Sequence, residues 1–101
     1  MNASEIADHI RAGQFEYSRH ALRRVVERNI SETEIIEASR SLEIIEKYPD
    51  DKYAPSCLLL GFSGMHRPLH MQICYTGPTT VKIITIYEPK PDEWIDNKVR
   101  R

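Results

Sequence analysis

Apolar residues recur at helical spacing along the first part of the chain. Ile6 and Ile10 lie one turn apart, with Ser4 as the expected N-cap and Gly13 just past the expected end of the helix. A second helix is predicted over 18–29. It is expected to end at Asn29, because asparagine tolerates the left-handed conformation that often closes a helix.

A third helix is predicted to begin at Ser31. Ser31 and Glu34 match the pattern of a capping box, in which each side chain bonds to the free backbone N–H of the other residue. The apolar side of this helix is formed by Ile35, Ile36, Ala38 and Leu42.

The pattern then changes to an alternation of apolar and polar residues, which is typical of strands. Four strands are predicted, over 43–48, 56–62, 69–76 and 80–88. Pro89 and Pro91 end the last strand, since proline has no N–H for the ladder. The segment 92–101 is predicted to be a short helix or a tail. Together these elements predict an α+β fold in which N-terminal helices pack on a four-stranded antiparallel meander.

The need for one apolar face predicts the register of this sheet. A symmetric loop over 63–68 gives three apolar pairs, namely Phe62–Leu69, Leu60–Met71 and Leu58–Ile73. The same register places Ile73 beside Ile83 and Leu69 beside Tyr87. Tyr87 is therefore expected on the core side of the sheet.

The opposite face of the predicted sheet is mixed in polarity and carries His70. Trp94 and Ile95 are the expected cover for this face. The register also sets Cys57 opposite Cys74. Because disulfides are rare in a reducing compartment, both cysteines are interpreted as small buried residues.

Length and composition are those of one soluble domain over 1–101. Hydrophobic residues make up 41% of the chain, and 14 basic against 15 acidic residues give a formal net charge of -1. This balance disfavours a general nucleic-acid binder, although an uneven charge distribution still allows local anion binding.

Apolar runs fall far short of the roughly 20 residues of a membrane helix, and the N-terminus lacks a secretory pattern. A cytoplasmic protein without membrane contact is expected, and since neither cysteine lies in a CxxC pattern, no metal or other cofactor is predicted.

The segment 18–29, SRHALRRVVERN, concentrates positive charge. Its arginines are Arg19, Arg23, Arg24 and Arg28. On a helical wheel His20 lies near the centre of one face, flanked by Arg23, Arg24, Glu27 and Arg28. The opposite face, expected to be buried, is formed by Ala21, Leu22, Val25 and Val26. The positive field favours a neutral imidazole, which is the form that a general base requires. An exposed amphipathic helix with an incidental histidine explains the same pattern.

Other candidate residues lie in the second half of the chain. His70 occupies the middle of a predicted strand, with Arg67 in the loop before it, although a merely packed histidine fits equally well. Tyr87, Lys90 and Trp94 offer a hydroxyl, a cation and a stacking surface for an RNA base. A core aromatic followed by a loop lysine is the simpler interpretation of the same residues.

Several segments together resemble the domain of unknown function 4258 family. They are YSRHALRRVVERNIS (17–31), EIIEKYPDD (43–51), RPLHMQ (67–72) and IITIYEPKPDEW (83–94). The positions that carry the resemblance are His20, Ala21, Arg24 and Arg28, then Pro68, Leu69 and His70, and then Thr85, Tyr87, Pro89 and Trp94.

That family is similar in predicted fold to the RelE/ParE superfamily of small bacterial toxins, and its members are often found beside a zinc-finger antitoxin of the YgiT type. The resemblance implies a single RelE-like domain that acts as the toxin of a type II toxin–antitoxin system and cleaves mRNA without a metal. RelE-like ribonucleases are usually strongly basic, and this chain departs from them in its balanced charge.

The resulting hypothesis is RNA cleavage by attack of a 2′-OH on the adjacent phosphate. His20 or His70 takes the proton, and Tyr87 or Lys90 is the acid. Arg23, Arg24, Arg28, Arg67 and Lys90 are the candidate phosphate contacts, and Trp94 is a stacking platform. The two-histidine form requires His20 and His70 to lie in one cleft. RNA or the ribosome and a zinc-finger antitoxin are the expected partners.

A binding module without chemistry is the alternative. In that case the basic helix docks an acidic protein segment or nucleic acid, and Arg23, Arg24 and Arg28 are interface residues. The balanced net charge favours this alternative, whereas a polar His20 facing a cleft favours the enzyme. A nucleotide-sensing domain that uses the same arginines is a third possibility.

Overall fold

The helices begin where the sequence supplies side-chain caps. The computed structural model describes residues 2–52 and 54–101. Its helices are α1 (Ala3–Arg11), α2 (Arg19–Glu27) and α3 (Glu32–Ala38), followed by a 3-10 turn (Ser39–Ser41). Asn2 rather than Ser4 caps α1, Ser18 caps α2, and Ser31 with Glu34 forms the predicted capping box of α3. In these two ranges no helix is both long enough and apolar enough to cross a membrane.

Left-handed residues follow α1 and α2, as the sequence predicts. Gly13 has a φ of 74° and Asn29 a φ of 56°. Both residues turn the chain directly after a helix, where glycine and asparagine adopt this conformation at little cost.

The sheet is mixed, with one more strand than predicted. Its strands are β1 (Phe15–Tyr17), β2 (Glu43–Tyr48), β3 (Ser56–Phe62), β4 (Pro68–Tyr75) and β5 (Val81–Tyr87). Across the described residues these five strands have the order β1-β5-β4-β3-β2, with β1 parallel to β5 and the other neighbours antiparallel. The α+β class is confirmed, and the prediction of a four-stranded, wholly antiparallel sheet is corrected. Three residues of β1 are too few to show an alternating pattern in the sequence.

The main hydrophobic core lies between the helices and one face of the sheet. Its members include Ile6, Ile10, Ala21, Val25, Ile35, Leu59, Leu69, Met71, Ile73, Ile83 and Ile86. The opposite face of the sheet must be covered by another part of the chain, because β3 is buried along both faces.

The segment 92–101 supplies that cover and is neither a helix nor a tail. It forms a hairpin of β6 (Trp94–Ile95) and β7 (Val99–Arg100). Asp96 and Asn97 turn the chain with φ values of 51° and 63°, both left-handed as in a type I′ turn.

The hairpin of β6 and β7 packs on the face of the sheet opposite the helices. Trp94 is 4% exposed there, which confirms that this residue covers the mixed face, whereas Ile95 is 43% exposed. An ion pair of 3.1 Å between Lys98 and Glu43 ties the hairpin to the edge strand β2.

The register of β3 against β4 differs by one residue from the prediction. Leu59 pairs with Met71, and Leu60 pairs with His70. Leu59 therefore faces the helices, whereas Leu58 and Leu60 face the hairpin side. The apolar run of β3 contains no alternation that could set its phase, which is why the sequence pattern fails here.

The two cysteines are consequently not opposite each other. Cys57 pairs with Ile73, and Cys74 pairs with Ser56. Both cysteines are buried, as predicted, and burial raises the pKa of Cys57 to about 11.

An extra residue, Ile84, interrupts the pairing of β5 with β4. Ile73 pairs with Ile83, as predicted, but the next pair is Gln72 with Thr85. Ile84 is therefore a β-bulge, which shifts every later residue of β5 by one position.

This bulge moves Tyr87 to the face opposite the helices. Tyr87 pairs with His70, so the predicted pairing with Leu69 and the expected position of Tyr87 in the main core are wrong. The bulge is tied to the N-terminus of α2, because the Ser18 hydroxyl donates to the Ile84 carbonyl oxygen at 2.6 Å.

Gly61 lies where α3 meets β3, so a substitution at this position tests the close packing of the two elements. A Cβ at Gly61 would lie 2.5 Å from the carbonyl oxygen of Ala38, whereas a Cβ at Gly77 would meet nothing within 4 Å. We expect Gly61→Ala to lower the free energy of unfolding by about 1–3 kcal/mol because it overpacks this contact. Gly77→Ala, the matched control, should change it by less than about 0.5 kcal/mol. Urea denaturation of both variants measures this, and equal stabilities would contradict the close approach of α3 to β3.

Candidate active site

His70 lies in the middle of β4, on the face covered by the C-terminal hairpin. Its side chain is 0% exposed. The imidazole meets Trp94 and Tyr87 edge-on, with ring centroids 4.5 and 5.2 Å away. His70 therefore acts on a ligand only through the residues that surround it.

Two hydrogen bonds define the protonation of this histidine. Nε2 is 2.6 Å from the carbonyl oxygen of Asn97, and because a carbonyl only accepts, Nε2 carries the proton. Nδ1 is 3.2 Å from the hydroxyl of Tyr87, which therefore donates to it. Burial lowers the pKa of His70 and outweighs the Asn97 carbonyl and the Glu46 carboxylate, which raise it. The imidazole is thus neutral at pH 7.

Tyr87 connects the buried histidine to a surface cavity. Burial raises the pKa of the Tyr87 hydroxyl, although the nearby Arg100 opposes this, so the phenol is protonated at neutral pH. The cavity has a volume of about 410 Å³ and is also lined by Asp92, Glu93, Trp94, Arg100 and Arg101. A proton donor with an imidazole behind it and two arginines beside it can serve both proton transfer and anion binding.

Arg100 is the best positioned cation of this cavity. Its Nε and Nη2 donate to the two carboxylate oxygens of Glu46 at 2.9 and 3.2 Å. Burial alone would raise the pKa of Glu46, but hydrogen bonds from Tyr48 and Arg100 outweigh it and hold that pKa below its ordinary value. The guanidinium carbon also lies 4.6 Å from the centroid of the Trp94 ring, so the cation is held in place.

Trp94 does not serve as the predicted stacking platform. It is 4% exposed, with His70 packed against it at a right angle and the Arg100 guanidinium over its ring. A nucleic-acid base has no access to the ring in this arrangement. Trp94 instead holds the hairpin on the sheet.

The prediction from sequence missed Arg100 and Arg101 because it made their segment a short helix or a tail. The signal was present in WIDNKVRR, where Asp96, Asn97 and Lys98 stand between the short strand-like pairs WI and VR. Adjacent aspartate and asparagine favour a tight hairpin turn, because both tolerate the left-handed conformation. A hairpin here would have placed the arginines near the sheet.

The predicted residues of α2 lie on the opposite side of the molecule. His20 and Arg23 are exposed, and Arg24 pairs with Glu27 at 3.1 Å. His20 lies on the helix side of the sheet, whereas His70 lies on the hairpin side. The condition that the two histidines share a cleft is not met, so the two-histidine mechanism fails. Among residues 2–52 and 54–101, no three His, Cys, Asp or Glu side chains gather as metal ligands would.

Half of the predicted buried face of α2 is exposed. Ala21 and Val25 are buried, but Leu22 is 52% exposed and Val26 is 75% exposed. The helix meets the sheet along the single line of Ala21 and Val25, and a short helix on an edge of the sheet buries a narrow stripe.

The predicted cations Arg28, Arg67 and Lys90 do line one cavity. Its volume is about 510 Å³, and its other lining residues are Pro68, Glu88, Pro89 and Pro91. This cavity lies on the C-terminal side of α2 and is separate from the Tyr87 cavity. The structure thus brings together three of the predicted phosphate contacts, and neither candidate histidine lines their cavity.

Arg67 acts within that cavity as a structural clamp. It donates to the carbonyl oxygens of Arg28 and Asn29 at 2.9 and 3.2 Å, which caps the C-terminus of α2. It also pairs with Glu34 at 3.2 Å and with Glu88 at 3.6 Å. These contacts leave Arg28 and Lys90 as the better candidates for anion contact there.

The buried neutral His70 predicts a specific pH dependence of stability. Its folded pKa lies below the ordinary value of 6.5, so the unfolded chain binds the proton more readily. The stabilisation is complete above pH 6.5 and is lost as pH falls through the lower folded pKa. We expect the melting temperature to fall between pH 7 and about pH 5, and the fall to be shallower in His70→Gln, which keeps a donor for the Asn97 carbonyl. Calorimetry of both proteins measures this, and identical pH slopes would contradict the assignment.

Comparison with known proteins identifies the family and nothing finer. No curated protein and no solved structure matches this chain. The family described as Domain of unknown function (DUF4258) matches residues 17–88, a range that runs from the end of β1 to the residue after β5 and contains both His70 and Tyr87. The chain belongs to the DUF4258 family, as its sequence predicts.

Proposed function

We propose that this chain is a metal-independent endoribonuclease with a RelE-like fold, and that it is the toxin of a type II toxin–antitoxin system. One observation carries the proposal: the Tyr87 hydroxyl is held on Nδ1 of a buried neutral His70, in a cavity that also contains Arg100 and Arg101. Phosphodiester cleavage needs a proton acceptor beside fixed cations. The α+β architecture, with helices on one face of the sheet, also belongs to the class that the RelE/ParE resemblance implies.

Tyr87 is the residue that touches the RNA, and His70 positions it and receives its proton. As the 2′-OH attacks phosphorus, its proton passes to the Tyr87 oxygen while the Tyr87 proton passes to His70 Nδ1. The bond from phosphorus to the 5′ oxygen breaks and leaves a 2′,3′-cyclic phosphate on one fragment. The leaving oxygen takes a proton from the same relay and becomes a 5′-OH. The bond from Nε2 to the Asn97 carbonyl stabilises the transient imidazolium.

The cations divide between two cavities. Arg100 and Arg101 lie beside Tyr87 and stabilise the charge that develops on the phosphate oxygens. Arg28 and Lys90 line the cavity that begins at Glu88, the residue after Tyr87, and bind a flanking phosphate of the same strand. Local clusters of this kind bind RNA in a chain whose net charge is -1.

Removal of the Tyr87 hydroxyl tests the chemistry. We expect Tyr87→Phe to lower the cleavage rate of a labelled mRNA about 10²–10⁴-fold, because the proton relay loses its contact with the substrate. Tyr75→Phe is the matched control on the helix side of the same sheet and should keep the wild-type rate. Gel assays measure both, without ribosomes in EDTA and with ribosomes in Mg²⁺. Wild-type cleavage by Tyr87→Phe, or ribosome-free cleavage that is lost in EDTA, would overturn the proposal.

A binding module without chemistry is the second candidate, and the surface of α2 favours it. Leu22 and Val26 are exposed one turn apart, and the basic Arg19 and Arg23 lie on the same exposed side. An apolar pair flanked by cations suits a protein segment that carries apolar and acidic residues. In a toxin–antitoxin system that segment belongs to the proposed zinc-finger antitoxin.

An acidic substitution at the centre of this surface tests the docking role. We expect Val26→Glu to abolish co-purification with the co-expressed product of the neighbouring reading frame, because it places a charge in the apolar contact. Val99→Glu is the control, since Val99 is 59% exposed on the opposite face of the molecule. Retention of the complex by Val26→Glu, or its loss in both variants, would exclude α2 as the docking surface.

A further inference from the structure

A third cavity lies near the Tyr87 cavity, on the same face of the sheet. It has a volume of about 560 Å³, and its lining includes Tyr48, Asp50, Asp51, Gln72 and Arg100. Arg100 lines both cavities, so the two share one side chain as part of their walls. Gln72 lies two residues along β4 from the buried histidine, on the same face and about 7 Å away by strand geometry.

The cavity offers hydrogen-bond acceptors at a fixed position. The Gln72 amide nitrogen donates to Asp51 Oδ2 at 3.2 Å and to Ser56 Oγ at 3.1 Å. Ser56 is buried, with 4% of its surface exposed, and its hydroxyl donates to the same Asp51 oxygen at 2.6 Å. Because both N–H groups of the amide are used inside the protein, Gln72 meets a ligand with its oxygen. The Asp51 carboxylate is held beside it.

We propose that this cavity binds the guanine base of the RNA nucleotide at the cleavage position. The Watson–Crick edge of guanine carries two neighbouring donors, the ring N–H and the exocyclic amino group, which match the acceptor pair of Asp51 and Gln72. Adenine and cytosine place a ring acceptor beside their amino group, and uracil has one N–H between two carbonyls, so each meets at least one repulsive contact. Tyr48 adds an aromatic surface of the kind on which single-stranded bases stack.

The position of the cavity fits one nucleotide. With the base against Asp51 and Gln72, the phosphate lies toward Arg100 and the Tyr87 hydroxyl on the same face of the sheet. This placement rests on the proposed ribonuclease function, because it assumes that the phosphate of the bound nucleotide is the one that is cleaved. Recognition of the base itself depends only on the acceptor pair.

Binding of mononucleotides tests the base site apart from catalysis. Calorimetric titration of the wild-type chain with 3′-GMP, 3′-AMP, 3′-CMP and 3′-UMP is expected to show 3′-GMP binding about tenfold or more tightly than the others. Asp51→Asn should bring the four affinities close together. Asp8→Asn, on the exposed surface of α1, is the matched control and should keep the preference. Should Asp51→Asn fail to fold by circular dichroism, Gln72→Met removes the neighbouring acceptor and should have the same effect.

The possible results separate this inference from the proposed function. Equal binding of all four nucleotides by the wild type, or an unchanged preference in Asp51→Asn, overturns the guanine site even where RNA is cleaved. A guanine preference in a chain that cleaves no RNA supports the site and overturns the ribonuclease.

Discussion

The β-bulge at Ile84 decides which face of the sheet carries chemistry. Without the extra residue, the pairing of Ile73 with Ile83 would continue in phase, and the tyrosine at the end of β5 would lie under the helices. With it, Tyr87 lies over His70 instead. The hydrogen bond from the Ser18 cap to the Ile84 carbonyl ties this local irregularity to the start of α2. Helix position and site geometry are therefore set by the same contact.

A sheet buried on both faces requires two covering layers, and the second layer here is very small. The buried Trp94 anchors the β6–β7 hairpin, and polar contacts fix its position on the sheet. Its loop carbonyl at Asn97 accepts from His70, and its lysine and arginine pair with Glu43 and Glu46 on β2. A buried imidazole costs free energy unless both nitrogens are bonded, and both are bonded here. The same two bonds fix the tautomer that the proposed relay needs.

Local chemistry made the helices predictable, whereas the sheet depended on contacts distant in sequence. A capping box and a left-handed asparagine are complete within a few residues, so Ser31, Glu34 and Asn29 could be interpreted directly. The phase of β3 could not, because an all-apolar strand fits either register and the choice rests on Gly61 meeting Ala38. A one-residue error there reverses the face of every side chain on the strand.

The sequence predicted the two central residues of the candidate site, but neither their contact nor the arginines beside them. His70 and Tyr87 were singled out as separate candidates, and the structure joins them by a hydrogen bond. His20 was joined to His70 in one mechanism, and the sheet separates them. Charge spacing along α2 could show that cations gather on one helix. It could not show that the arginines nearest Tyr87 come from the end of the chain.

Arg67 and Arg100, one in each candidate phosphate cavity, differ in how easily a ligand can reach their guanidinium groups. Arg67 is 24% exposed, and its contacts with two backbone carbonyls and Glu34 would all be disturbed if it turned toward a ligand. Arg100 is 62% exposed, so a phosphate arriving beside Tyr87 can reach its guanidinium, which the bidentate pair with Glu46 and the Trp94 ring hold in place. The more exposed arginine is thus the better suited to bind substrate, and the less exposed Arg67 to hold the fold.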